Sequence, residues 1–428
     1  MQLFGTSGIR KIVDANLIQL ALKVGLAVGR IYSSIVVGSD TRNSSPALKH
    51  AFVSGLLAAG SRCYDAGIIP TPTLAFAARQ FDAGAMITAS HNPPEYNGIK
   101  LLKPNGAAFD SHQRRQIEEA LEGPLAAVSW EEMKNSITYP QAIDQHIERI
   151  LQDFPNELKL RVVVDCGCGA GSVITPYLLR KLGCEVIALN CYPSGFFPRN
   201  SEPTEASLSN LIKATRELDA NLGIAHDGDA DRMMAVDDKG RFISGDKLLV
   251  LLVQELGARE VVTTVDASMN IDEMGLKITR AKVGDAYVSE ELQKGGDFGG
   301  EPSGSWIFPT ISLCPDGIYA AARMAALASQ HKLSQLTDSI PRYPILRGSV
   351  SSQKIALSEL EKRLLAMEPL SVSKVDGIKL NFKDGWLLIR TSGTEPKIRV
   401  TAEAKSEAKA HQLYDSGIKA IKACIEII

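Results

Sequence analysis

Ile35-Val36-Val37-Gly38-Ser39-Asp40 is an apolar, largely β-branched run that closes on small residues and a carboxylate. A helical stretch, Ala47 to Ala59, follows it, then Gly60 and a second strand-like segment from Ser61 to Tyr64. An apolar run without polar alternation predicts a strand buried on both faces, and the whole stretch a β–α–β unit. The same order returns twice. Val162-Val163-Val164-Asp165 precedes a helix over Ile174 to Leu182, then Gly183 and a strand over Cys184 to Leu189. Val261 to Val265, with Asp266, precedes a short helical piece, Gly275 and a strand over Leu276 to Thr279. Copies spaced by roughly a hundred residues predict three similar α/β domains rather than a solenoid of short repeats.

The last part of the chain is different. Trp386 to Arg390 and Lys397 to Glu403 read as strands around a loop, Ser392 to Pro396, and a helix from Ser406 to Ile427 closes the chain. Ile340-Pro341-Arg342-Tyr343-Pro344 predicts a linker, because two prolines so close forbid a regular helix or a central strand. Further divisions are expected near Tyr139-Pro140, ahead of a helix over Ala142 to Leu151, and near Asp238-Lys239-Gly240. The expected domains are 1–138, 139–239, 240–343 and 344–428.

Composition bounds the function. The 428 residues carry 47 basic and 49 acidic side chains, a net charge of −2, which removes the electrostatic case for nucleic acid or an anionic membrane surface as partner. The greasiest run, Leu248 to Val253, is far short of the ~18 residues a membrane span needs. Seven cysteines scattered along the chain do not suggest a disulfide framework. The beginning, MQLFGTSGIRKIVD, shows no charged-then-apolar secretory pattern. These features predict a cytoplasmic chain, monomer or homodimer, with free thiols.

Four loops carry candidate chemistry. In Thr88 to Lys100, Ser90 stands beside His91 with a lysine ten positions on, a nucleophile with acid–base help or an ordinary Ser/Asn/Pro turn. In Ala225-His226-Asp227-Gly228-Asp229-Ala230-Asp231-Arg232, three carboxylates alternate with small residues. Like charges so close call for a cation, and all-oxygen ligation points to a hard metal, magnesium first. Arg232 occupies the position where a calcium-binding EF-hand needs glycine. Gly299-Gly300-Glu301-Pro302-Ser303-Gly304-Ser305 is a flexible polar loop or a plain connector. Arg390-Thr391-Ser392-Gly393-Thr394, with Arg399 on the returning strand, suits a phosphate dianion, the alternative being a surface hairpin with solvated arginines. Falling one per expected domain, the four loops together indicate a site between domains for a phosphorylated polar molecule.

On FGTSGIR, TASHNPPEYNGIK, DGDADR, GGEPSGS and RTSGTEPKIRV the chain resembles the α-D-phosphohexomutase family over nearly its whole length. The resemblance implies three related α/β domains with mixed sheets and a C-terminal α+β domain similar to the TATA-binding protein, around a central cleft. It implies transfer of a phosphoryl group between the 1- and 6-hydroxyls of a hexose, with a hexose 1,6-bisphosphate as intermediate and activator. Ser90 matches the phosphoserine, which with Asp227, Asp229 and Asp231 binds Mg2+. His91 and Lys100 match proton-transfer groups, and Arg10 and Arg232 match cleft arginines. Lys100 can serve as a base only where cations or desolvation lower its pKa below ~10. Glu301 and Ser303 match readers of sugar hydroxyls; Arg390, Ser392, Gly393, Thr394 and Arg399 match the site that holds the unreactive phosphate. Ser305 departs from the histidine many members carry. Lys282 to Val288 is most similar to the phosphoglucosamine mutase branch, which makes a phosphosugar the expected partner and Lys282 a candidate contact. A phosphomannomutase or phosphoglucomutase of the same family, a magnesium-dependent phosphosugar phosphatase acting through the aspartates, and a non-catalytic phosphosugar sensor are the alternatives.

Overall fold

The computed structural model describes residues 3–5, 8–351, 356–391 and 397–425. Four sheets follow one another along the chain. The first runs Ile9–Ile12, Tyr96–Leu102, Ala83–Ile87, Ser34–Ser39, Arg62–Ile68, Ser136–Thr138; the last four of these are mutually parallel. The second runs Phe242–Ile243, Met233–Val236, Leu222–His226, Arg161–Asp165, Glu185–Leu189, with the last three parallel. The third runs Lys277–Ala281, Glu260–Thr264, Phe298–Glu301, Ser305–Ile307, with the first three parallel. The apolar runs behave as their composition requires: Ile35 to Val37 and Val162 to Val164 are fully buried.

In each of these sheets the parallel set ends in a strand that turns straight back into an antiparallel neighbour. Ala83–Ile87 returns as Tyr96–Leu102, Leu222–His226 as Met233–Val236, and Phe298–Glu301 as Ser305–Ile307. The three reversals carry Ser90, the aspartate triad and Glu301, so these loops hold one position in three repeats. They lie beyond the carboxyl ends of parallel strands, where open α/β sheets bind ligands.

The fourth sheet is antiparallel throughout: Ile345–Ser351, Lys397–Ala404, Gly385–Thr391, Ile378–Phe382, Ser371–Ser373. Helices Leu357–Leu365 and Glu407–Ile425 bury Leu360, Leu364, Leu413 and Ile421 against its Leu387, Ile389, Ile398 and Val400. Residues 340–344, the expected linker, are in neither helix nor strand.

The second and third units share one core cluster, which Phe76 of the first unit joins and which includes most of the buried helix Gly317–Gln330. The expected division at Asp238-Lys239-Gly240 lies a few residues ahead of the third unit's first helix, Gly245–Leu256. This segment is the tip of a hairpin closed by Asp237 N–H to Arg241 O (2.9 Å), with Gly240 at φ 68°, and Phe242–Ile243 completes the second sheet. The passage to the third unit comes at Ser244, which caps helix Gly245–Leu256. An Asp-Lys-Gly tripeptide makes a tight turn as readily as a linker. Helix Ala142–Leu151 lies at a three-way junction: buried His146 meets Thr73 Oγ1 (3.1 Å) and Asp316 Oδ2 (3.0 Å). All seven cysteines are free. Among the described residues no helix is long and apolar enough to cross a membrane.

Candidate active site

The first and second reversals meet face to face. Ser90 is 1% exposed with φ 53°, and its hydroxyl donates to Asp227 Oδ2 at 2.8 Å. His91 Nδ1 lies 3.4 Å from the same hydroxyl. Burial, then the cations Arg232, Arg10 and Lys100, push His91 down to about 3, so the ring is neutral near pH 7. Gly228 permits this approach: a Cβ there would stand 2.6 Å from Ser90 O. Thr71 adds a second seam, its N–H donating to Asp229 O (3.0 Å) and its hydroxyl to Asp229 Oδ2 (2.5 Å).

Asp227, Asp229 and Asp231 are all buried and offer one carboxylate oxygen each within 4.8 Å of one another. Asp229 Oδ1 and Asp231 Oδ1 are buried without a hydrogen-bond partner among the described residues. Buried carboxylate oxygens left over after protein hydrogen bonding fit a hard divalent cation. His226 pins the base of the loop, through Nδ1 to Arg232 O (2.9 Å) and Nε2 to Thr175 Oγ1 (3.0 Å); burial lowers it to about 4. Burial and the neighbouring carboxylates push Asp227 and Asp231 up, whereas Lys100 holds Asp229 below the usual carboxylate range despite its burial.

Lys100 does not meet the condition set for a base. Its Nζ lies 2.7 Å from Asp229 Oδ2 and 2.6 Å from Asp231 Oδ2. Burial disfavours the ammonium, but these two carboxylates outweigh it and raise its pKa above the ordinary lysine value. It is a buried cation beside the triad. Arg10 joins from the first sheet, with Nη1 on Asn92 Oδ1 (3.2 Å) and Nε unpartnered among the described residues.

The third reversal abuts the second. Met233 N–H donates to Gly304 O (2.9 Å), Trp306 Nε1 to Met233 O (2.8 Å), and Arg232 bridges Ser305. Glu301 accepts from Ser303 Oγ at 3.3 Å; burial, then Asp285, raises its carboxyl to about 7. Ser305 is paired with Glu301 across the sheet, so their side chains share a face. Arg232 Nη1 lies 3.0 Å from Glu202 Oε1. Lys282 is exposed and stands over Tyr287, 5.5 Å from the ring centre.

In the fourth unit Arg390 and Arg399 are directly paired across two strands, so both guanidiniums start from one face. Arg390 Nη2 lies 2.6 Å from Asp376 Oδ2, and the same oxygen accepts Val283 N–H (3.0 Å) from the third unit. Ser392, Gly393 and Thr394 lie outside the described residues. Nothing in the sequence singled out Thr71 or Asp376. Asp40 and Arg42, by contrast, left a legible trace: opposite charges two apart directly after a strand with an apolar Ile35-Val36-Val37 centre.

Comparison with known proteins agrees with this arrangement. The family models for phosphoglucomutase/phosphomannomutase α/β/α domains I, II and III match residues 1–125, 139–240 and 244–343, and that for the C-terminal domain residues 353–418. The chain is similar to proteins named probable phosphoglucosamine mutase from Methanocella arvoryzae (48% identity, 100% of this chain and 99% of the relative) and Methanosarcina acetivorans (48%, 100% of each). A solved phosphoglucomutase/phosphomannomutase family protein from Burkholderia thailandensis superposes with a TM-score of 0.89 at 28% identity, over 99% of this chain and 97% of that one. With all four domain models matched in order and near-half identity over full length, the chain belongs to the phosphoglucomutase/phosphomannomutase family of hexose-phosphate mutases.

Proposed function

We propose that the enzyme interconverts glucosamine 6-phosphate and glucosamine 1-phosphate through a phosphoserine at Ser90 and a glucosamine 1,6-bisphosphate, in the cytoplasm. The observation that carries this reading is the buried Ser90 hydroxyl 2.8 Å from Asp227 Oδ2, at the mouth of the triad. The choice of sugar rests on the names of the relatives and on the Lys282 to Val288 segment.

Asp227, Asp229 and Asp231, with Ser90, would hold Mg2+, which supplies charge neutralisation for a transferring phosphoryl group. This chain's residues do the rest. Lys100 and Arg10 add positive charge beside Ser90, and neutral His91 lies within reach of the hydroxyl. In each half-reaction Ser90 Oγ gives up or receives the phosphoryl group, while the sugar hydroxyl at the other end of that transfer loses or gains a proton. Neutral His91 takes up the proton when the sugar hydroxyl attacks the phosphoserine, and that proton goes back to the sugar oxygen that leaves in the second transfer, with the Lys100 ammonium supporting the exchange. Glu301, Ser303, Ser305 and Lys282 would read the sugar, with Arg232 nearby. Arg390, Ser392, Gly393, Thr394 and Arg399 would hold whichever phosphate is not reacting. The bisphosphate turns over between the two transfers. Domains 1–138, 139–239, 240–343 and 344–428 divide these tasks.

The test offers glucosamine, glucose and mannose phosphates separately, with magnesium and a trace of glucose 1,6-bisphosphate, and follows isomers by phosphorus NMR. Preferred turnover of glucosamine phosphate, lost in Ser90→Ala and abolished reversibly by EDTA, is expected. Equal turnover of glucose and mannose phosphates overturns the sugar assignment. Release of free phosphate overturns the mutase mechanism.

A further inference from the structure

We infer that Arg42 is the positioning residue for Ser90, acting with Asp40 and Thr88 to hold the serine in its reactive placement. The inference deepens the reading of Ser90 as the phosphoryl carrier and rests on it. Arg42 is 1% exposed, and each of its five side-chain N–H groups has a separate partner. Nε meets Asp40 Oδ2 (3.0 Å); Nη1 donates to Pro93 O (2.7 Å) and Tyr96 O (2.9 Å); Nη2 donates to Ser90 O (2.8 Å) and Asn92 O (2.7 Å). Four carbonyls of the serine loop therefore converge on one cation. Pro93 O also accepts the Tyr96 N–H (3.0 Å), but a loop with two prolines has few amides to spare, and the guanidinium supplies the donors its carbonyls need.

Asp40 completes the unit. Its carboxylate also accepts from Ser45 Oγ (2.7 Å), Thr88 Oγ1 (2.7 Å) and Arg42 N–H (3.1 Å). Thr88 Oγ1 in turn accepts the Ser90 N–H at 2.8 Å. Ser90 is thus gripped at its N–H through Thr88 and at its carbonyl by Arg42. A non-glycine residue at φ 53° costs on the order of 1 kcal/mol and persists only where its surroundings over-determine it. These two grips are that over-determination.

The orientation has a chemical consequence. In a planar trans peptide the C=O and the following N–H point opposite ways. Drawing Ser90 O onto Arg42 turns the His91 N–H away from it, and that N–H has no hydrogen-bond partner among the described residues. The second unit closes the other side: Arg42 lies over the Phe197 ring (5.3 Å), and Gly228 approaches Ser90 O. Lysine cannot replace arginine here, because three donors on one nitrogen cannot reach five acceptors arranged around a plane.

The experiment compares Arg42→Lys, Thr88→Val and Ser90→Ala in the full-length enzyme, measuring kcat and KM on the folded fraction, with intact mass reporting phosphoserine. A misplacement of about 1 Å at the reacting oxygen is expected to lower kcat about 100-fold in Arg42→Lys, with KM little changed. Thr88→Val keeps Arg42 and its carbonyl contacts, releases the Ser90 N–H and removes one of the donors to Asp40, and is expected to lose kcat in the same sense. Guanidinium ion should restore part of kcat to Arg42→Ala and none to Ser90→Ala. Retained kcat in folded Arg42→Lys overturns the proposal; should that variant not fold, retained kcat in Thr88→Val does so. Activity surviving in Ser90→Ala instead removes the phosphoserine reading beneath it.

Discussion

Gly228→Ala is the sharpest perturbation of the contact between the first and second units. Gly228 is absent from the positive-φ positions, so alanine meets no backbone strain there and the effect is steric alone. The new methyl would stand 2.6 Å from Ser90 O, a backbone atom that no side-chain rotation can move. Ordinary contact begins near 3.4 Å, so the two loops must part by about 0.8 Å. Carried along the line of contact, that displacement takes the Ser90 Oγ to Asp227 Oδ2 distance from 2.8 Å to about 3.6 Å, outside hydrogen-bond range. A shift of this size at a reacting oxygen should lower kcat by about 10- to 100-fold. KM, which the proposed sugar and phosphate contacts of the third and fourth units would set, should hold within about threefold. Overpacking should cost about 1–3 kcal/mol in urea unfolding. Phosphorus NMR of the isomerisation gives kcat and KM; Gly123→Ala, whose nearest neighbour would be 3.8 Å away, is the matched control. A Gly228→Ala enzyme with kcat within twofold of the parent would refute the claim that this approach sets the site.

Three further outcomes are expected. Asp376→Ala removes a charge-assisted bond to Arg390 worth about 1.5–3 kcal/mol, so KM for the phosphosugar should rise about tenfold or more with kcat nearly constant; an unchanged KM would separate Arg390 from phosphate capture. Lys379, whose Nζ donates to Val265 O (2.7 Å) beneath Trp386, is pushed by burial down to about 7. Between pH 7 and about 10.4 the unfolded chain keeps a proton there that the folded chain lacks, so stability gains from rising pH through that window, and Lys379→Met should flatten the rise in urea midpoint. His146→Leu strands Asp316 Oδ2 and Thr73 Oγ1 in a buried junction and should cost about 2–4 kcal/mol while leaving kcat untouched; an unaltered urea midpoint would show that the junction tolerates the loss.

Much of this molecule was legible along the chain because its signals are local. The three β–α–β copies announce themselves through apolar runs that only a doubly covered sheet can bury, and those runs are buried. The triad is legible because its carboxylates sit at alternate positions and would repel one another wherever the chain went. The short Phe242–Ile243 strand is not legible, because two residues have no periodicity to read.

What only the tertiary structure decided are relations between residues far apart in the chain. Lys100 reaches Asp229 across a sequence separation of 129 and Asp231 across 131, and those contacts turn a candidate base into a buried cation. Arg42 finds its carbonyls about 50 residues away, Thr71 finds Asp229 at 158, and Asp376 finds Val283 at 93. Residue types and spacing specify which strands form and which loops carry charge. The pKa of a group, the orientation of a loop and the distance between two reacting oxygens depend on what other segments bury against them, and that is set only when the sheets pack.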